Sequence, residues 1–128
     1  MNRNRLLPRR DSITHRVTVN GFKVYFTVGL FPDGQPGELF IHNIEDPAGR
    51  INDDGMIVGL AECWAIAISM LLQSEWSLEE IAKKFSHTRF GVAGFTDNPD
   101  LRSCQSIVDY IVRWMVVQFE KKEAKEGG

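Results

Sequence analysis

Phe90, Asn98, Asp100 and Arg113 are the side chains here whose types and spacing suit a chemical task. They fall between His87 and Met115, where a glycine-bearing loop leads into an apolar helix. An aromatic ring offers a face for a base. Asn and Asp offer hydrogen bonds to ribose hydroxyls, and a guanidinium offers a fork for phosphate. No nucleophile–base pair, paired carboxylates or metal-ligand spacing accompanies them. The pattern points to nucleotide binding without catalysis. Each residue also has a plainer reading. Phe90 stacks on a base or plugs the core beneath its loop. Asn98-Pro99-Asp100 contacts a ligand or forms a turn and the start of a helix. Arg113 holds phosphate or pairs with Asp109, one helical turn earlier.

Other chemistries find little support. His15, His42 and His87 fall on separate elements without ligand spacing, so no metal is expected. Cys63 and Cys104 form no C-x-x-C motif, and Cys63 reads as a small core residue. The glycines form neither G-x-G-x-x-G nor a P-loop. No cofactor is expected. A net charge of -2 gives no pull toward DNA or a membrane surface. Without an apolar leader or disulfide framework, a cytoplasmic location is expected. Arginines crowd the start of the chain. They are either a solubilising arm or a second anion-contacting surface at Arg5, Arg9 and Arg10.

These groups need a scaffold. Residues 1–11 read as a basic extended arm, 12–119 as one folded domain and 120–128 as a charged flexible tail. Residues 13–19 read as a strand, Asn20-Gly21 as a hairpin turn, and Phe22, Val24, Phe26 and Val28 as one face of a second strand. Glu38 to Ile44 reads as a third. Residues 47–55 read as a polar loop, in which Asp53-Asp54 is no acid–base pair. Ile57 to Gln73 is apolar on more than one face, which predicts a central buried helix. Ser77 and Glu80 form a capping box for a short helix to about Phe85. Cys104 to about Phe119 is the third helix, with Ile107, Ile111, Trp114 and Met115 as its apolar stripe. The fold class is α+β, an antiparallel meander of three or more strands packed with about three helices.

Several blocks resemble a known family. They include Leu7-Pro8 with Arg10, Thr27-Val28-Gly29, Pro36 to Ile41, Ala65 to Ser69 with Leu72-Gln73, Arg89-Phe90, Asn98-Pro99, and Ser106 to Trp114. In order and spacing they resemble the TSCPD domain at the C-terminal end of vitamin B12-dependent (class II) ribonucleotide reductases. The letters that name the domain are mostly lost, since Gln105 to Asp109 keeps only Ser and Asp. With no reductase barrel or redox-active cysteine tail in this sequence, no ribonucleotide reduction is expected. A chain of this size is similar to the phage anti-Thoeris sponge proteins, which sequester cyclic ADP-ribose-type signals without cleaving them. That resemblance implies a pocket formed by Phe90, Asn98, Asp100 and Arg113 at the junction of two protomers. It also implies a homo-oligomer built from dimers and, in some members, a site for cyclic oligonucleotides. The alternative is an accessory or regulatory protein associated with a class II reductase.

Overall fold

The structure, a computed structural model, describes residues 5–50 and 56–127, with side chains excluded at 56 and 121–127. Arg3 and the Asp53-Asp54 pair lie outside the described residues. Three strands form an antiparallel sheet in the order β1 (Ser12–Val19), β2 (Phe22–Leu30), β3 (Pro36–Glu45). Asn20 and Gly21 both take positive φ, at 46° and 86°, as a two-residue hairpin turn between twisted strands requires. The hairpin closes with Val19 opposite Phe22. Alternation then sends Val17, Val19, Val24, Phe26, Val28, Leu39 and Ile41 to one face, and a register shift opposite Tyr25 and Phe26 returns Ile44 to it; all are buried.

Helices cover that face. α1 (Met56–Leu72) packs on β3 through Ala65, Ile68 and Leu72. Two polar side chains fasten α1 to this edge strand. Ser69 Oγ accepts from the Leu39 amide at 2.8 Å, and Gln73 Nε2 donates to the Gly37 carbonyl at 2.9 Å. They satisfy main-chain groups that the sheet edge leaves unpaired. α2 (Leu78–Phe85) begins with the expected capping box, its Ser77 and Glu80 bonded reciprocally at 3.1 and 3.0 Å. α3 (Ile107–Gly127) drives Tyr110, Ile111, Trp114, Met115 and Phe119 into the core.

Three expectations are corrected. α1 is not buried all round. Ile57, Leu60, Ile66 and Met70 are exposed, and so is Cys63, which is therefore no core residue. The apolar pattern has two faces, and only one meets this chain. α3 starts at Ile107 rather than Cys104, because a second small sheet intervenes between β4 (Gly94–Phe95) and β5 (Ser103–Cys104). α3 also runs past Phe119 to Gly127, through a Glu/Lys/Ala segment of strong helix formers.

Candidate functional site

Asp109 organises the region around Arg113. The first turn of α3 is capped by Ser106 Oγ, which accepts from the Asp109 amide at 3.0 Å. The Asp109 side chain is wholly buried and accepts three bonds. They come from the His87 amide at 2.6 Å, the Gln105 amide at 2.8 Å and Arg113 Nη1 at 3.2 Å. Arg113 Nη1 also donates to the Ser103 carbonyl at 3.0 Å. The guanidinium is thus fixed on one side, and it lines a groove of about 530 Å³ between α2 and α3. Leu101, Val116 and Val117 give the groove apolar surface, and Lys83 and His87 stand on its rim. Lys83 also faces Glu79 at 3.7 Å, a surface pair of little energetic weight. His87 has φ of 65°, a left-handed conformation uncommon for a histidine. The hydrogen bond that its main-chain amide donates to the buried carboxylate holds it there.

The loop before β4 leaves Phe90 56% exposed, so this ring does not plug the core. Arg89 Nε donates to Gln105 Oε1 at 3.0 Å and ties the loop to the approach to α3. The β4–β5 hairpin is laced to the end of β1. The Asn20 amide donates to the Phe95 carbonyl, and Thr18 and Asp97 exchange bonds of 2.9 and 3.1 Å. Asn98-Pro99-Asp100 is a turn, not a helix start. The Asp100 amide donates to Asn98 Oδ1 at 3.0 Å, and the Leu101 amide to the Asn98 carbonyl at 3.1 Å.

The Asn98 side chain is engaged inside the protein. Its Nδ2 donates to the Tyr110 hydroxyl at 2.9 Å, and that hydroxyl lies 2.8 Å from His15 Nε2. Tyr110 Oη thus accepts from Asn98 and shares a second hydrogen bond with His15 Nε2, whose direction follows the His15 tautomer. His15 stacks on Trp114, with centroids 4.9 Å apart. Burial lowers the His15 pKa from its ordinary 6.5, against an opposing pull from Asp97. Burial likewise pushes the Tyr110 phenol up to about 12. Both shifts favour the neutral pair and set the sign of pH dependence. Below 6.5 the unfolded chain binds the His15 proton more readily, so stability falls as pH drops. Between 10 and about 12 the folded chain retains the Tyr110 proton that the unfolded chain loses, so stability falls as pH rises. Thermal melts across that alkaline window should decline less steeply for Tyr110→Phe than for the parent protein. Parallel slopes would remove Tyr110 as a cause.

The structure does not gather the sequence-derived residues into one cavity. Arg113 lines the α2–α3 groove. Asn98 lines a different one, of about 340 Å³, with Phe95, Asp97, Pro99 and Arg102. Phe90 and Asp100 line neither of these grooves. Sequence reasoning missed Lys83 and His87 beside Arg113, and Phe95 and Arg102 beside Asn98. Phe95 is 82% exposed. An aromatic directly after Gly94 and outside any apolar period was the signal available for it.

On the N-terminal arm, Arg10 is not a free cation. Its Nε and Nη2 contact Glu38 Oε2 and Oε1 at 2.5 and 3.1 Å, and Nη1 donates to the Leu7 carbonyl at 2.6 Å. The Leu7-Pro8 and Arg10 block therefore pins the arm to β3. Arg9 lines a shallow hollow of about 190 Å³ with Leu7, Asp11 and Phe31. Among the described residues no His, Cys, Asp or Glu cluster is arranged to hold a metal ion, and no helix is long and apolar enough to cross a membrane.

The TSCPD domain family model matches residues 3–117. Similar curated proteins are vitamin B12-dependent ribonucleotide reductases. That of Rhodopirellula baltica is 41% identical over 117 residues, those of Streptantibioticus cattleyicolor and Agrobacterium fabrum 38% and 36% over 118. Each alignment covers 91% of this chain but only 11%, 18% and 9% of the respective relative. The chain thus spans a small part of the proteins it matches. No solved structure matches.

Proposed function

The chain belongs to the TSCPD domain family, and on that premise we propose that it is a non-catalytic nucleotide-binding protein that sequesters cyclic ADP-ribose-type immune signals in the cytoplasm. The observation that carries this reading is Arg113, held by a buried carboxylate at the wall of a 530 Å³ groove. That volume suits a small nucleotide. A guanidinium already fixed loses little freedom when it meets a pyrophosphate. Phe90 lines no groove with Arg113 within one chain, so the reading includes a homo-oligomer in which the exposed ring of one copy closes over the groove of another. Asn98 and Asp100 shape the turn that leads to Leu101. Sequestration requires affinity rather than transition-state stabilisation, and needs neither metal nor cofactor. A cyclic oligonucleotide is the related ligand for the arm, where Arg5 and Arg9 remain the candidate contacts. DNA and membranes are not the partners proposed.

Calorimetric titration with cyclic ADP-ribose isomers tests the reading, followed by heat release and mass analysis of the ligand. Saturable binding with ligand returned intact is expected. Cleaved ligand, or no heat with any isomer, would defeat it. Arg113→Ala should reduce affinity by at least about 10-fold, as expected for a charge-assisted contact of ~1.5–3 kcal/mol. Phe90→Ala should weaken binding by roughly 5- to 100-fold through lost stacking of about 1–3 kcal/mol. Its melting temperature should not change, because the ring is exposed.

A second reading is favoured by the identity to B12-dependent reductases over nearly the whole chain: an accessory or regulatory domain of such an enzyme. It requires co-purification with a reductase large subunit and no tight binding of cyclic ADP-ribose isomers.

A further inference from the structure

The turn over residues 98–101 stands between the two larger grooves. Asn98 and Pro99 line one of them, and Leu101 lines the other, between α2 and α3. The turn is shaped from two sides. On the β4–β5 side the Asn98 amide donates to Thr96 Oγ1 at 3.1 Å, and that hydroxyl donates to the Leu101 carbonyl. On the α3 side Asn98 Nδ2 donates to the Tyr110 hydroxyl at 2.9 Å. Both ends of the Asn98 side chain are committed, because Oδ1 accepts from the Asp100 amide at 3.0 Å. Asn98 therefore cannot rotate to serve Tyr110 differently without breaking the turn.

The Tyr110 oxygen carries one hydrogen, accepts from Asn98 and has His15 Nε2 as its second neighbour at 2.8 Å. Tyr110 is fully buried, so water is not at hand to replace a lost partner. A neutral imidazole keeps one accepting nitrogen, and a protonated one keeps none. A neutral His15 can thus accept the Tyr110 hydrogen at Nε2. A protonated His15 presents a hydrogen to an oxygen that already accepts from Asn98, and the hydroxyl hydrogen is left without an acceptor. A buried donor in that position is costly. The rings are held by stacking, His15 on Trp114 at 4.9 Å and against Phe26 at 5.4 Å. Pro99 and Asp100 are exposed, so the turn is the member that yields.

We propose that His15 and Tyr110 are positioning residues for this turn, and that a proton on His15 releases Asn98 and reshapes the walls of both grooves. The groups around the ring are few. Asp97, from the β4–β5 connection, is the carboxylate that acts on it and favours the proton. β2 brings Phe26, and α3 brings Tyr110 and Trp114, all uncharged. Asp97, Cys104 and Asp100 act in turn on the Tyr110 hydroxyl. Burial outweighs Asp97 and lowers the His15 pKa from 6.5, so the latch is closed at neutral pH and opens on the acid side. This device concerns the shape of the grooves and does not depend on what either one binds.

NMR of the full chain from about pH 8 to about pH 5, the range in which histidines titrate, tests the proposal. The Asn98 side-chain amide and the Asp100 and Leu101 amides should shift along one curve. Its midpoint should match that of the His15 ring protons and lie below 6.5. The Val24 and Val28 amides, in the central strand, should hold still, which separates release of the turn from unfolding. His15→Gln should abolish the step. Tyr110→Phe keeps the ring but loses the hydroxyl. It should leave no step and lower the protection of the Leu101 amide against exchange about 5-fold at neutral pH, one hydrogen bond's worth. Should one variant fail to fold, the other decides. Turn signals that stay fixed while His15 titrates overturn the proposal. So does a step that survives His15→Gln, which would pass it to Asp97 or Asp100. A Leu101 amide equally protected in Tyr110→Phe overturns it as well, as do central-strand amides that move on the same curve.

Discussion

Replacing Asp109 by alanine is expected to lower the thermal unfolding midpoint by more than about 10 °C, the largest effect of any single substitution considered. The carboxylate is fully buried and accepts from two main-chain amides and one guanidinium. Alanine removes the acceptor and leaves all three donors facing a void. A buried donor without a partner costs about 1–3 kcal/mol, more for a charged one. Arg113, left behind, keeps 28% of its side chain in water, so it adds less than the ~3–5 kcal/mol of a fully buried pair, and the two stranded amides carry most of the loss. At about 4 °C per kcal/mol for a domain of this size, the shift exceeds 10 °C. Asp109→Asn should lie between the two. It keeps a carbonyl for one amide but turns an amino group toward the other donors. Calorimetric melts of both variants, with Arg113→Ala alongside, separate the contributions. Arg113→Ala should cost less, because Asp109 keeps its bonds to the His87 and Gln105 amides. Equal midpoints for Asp109→Ala and the parent protein would show that the carboxylate holds nothing together.

This dependence also sharpens the ligand question. From sequence, Arg113 reads either as a phosphate contact or as the i+4 partner of Asp109. The geometry shows the pairing with Asp109 and leaves the guanidinium at the groove wall. Asp109 and Ser103 hold one nitrogen of the fork, and the guanidinium still lines the groove. Asp109 thus acts as a positioning residue, and its loss would disturb the fold and the groove together. Arg113→Lys is the cleaner probe of binding, since it keeps a cation near Asp109 but loses the planar fork.

What was legible in the sequence was local. Asn20-Gly21 announces its turn because both residues tolerate positive φ. Ser77 and Glu80 announce a helix start because their groups satisfy each other. The strands follow from strict alternation in Phe22 to Val28. What stayed hidden depends on distant partners. β4 and β5 are two residues each, and they are held by contacts with Thr18, Val19 and Asn20 that no local pattern encodes. Asn98 looks like a free polar group until Tyr110, twelve residues on, accepts its amide. An apolar helix such as α1 reads as buried in either case. Periodicity records that a face must be covered, but not whether this chain or another covers it. Phe90 is the converse: an isolated ring reads as core or as ligand platform, and its exposure excludes the core.

Arg10→Ala is expected to destabilise the protein by about 3 kcal/mol, at the low end of the ~3–5 kcal/mol for breaking a buried ion pair. The low end applies because Arg10 keeps 32% of its side chain in water, whereas Glu38 keeps 11%. The loss falls mainly on Glu38. Without the guanidinium its carboxylate stays against the sheet with two strong hydrogen bonds gone. The carboxylate lies directly over Gly29, in space that an added Cβ would take from Oε2. Gly29→Ala should therefore destabilise by displacing the same carboxylate, even though the arginine remains. Deleting residues 1–10 should cost at least as much as Arg10→Ala, since it also removes Leu6, whose side chain packs near Gly37. This alters what truncation can report about the arm: a weakened fold would mimic the loss of an anion site. Arg5→Ala with Arg9→Ala is the better test of anion contact, because neither residue pairs with Glu38. Urea unfolding of Arg10→Ala, Glu38→Gln and the double variant measures the coupling directly. Arg10→Ala should gain back part of its loss when Glu38 becomes neutral. Strict additivity of the two substitutions would show that the pair contributes no coupling, and the arm would then be only a tether.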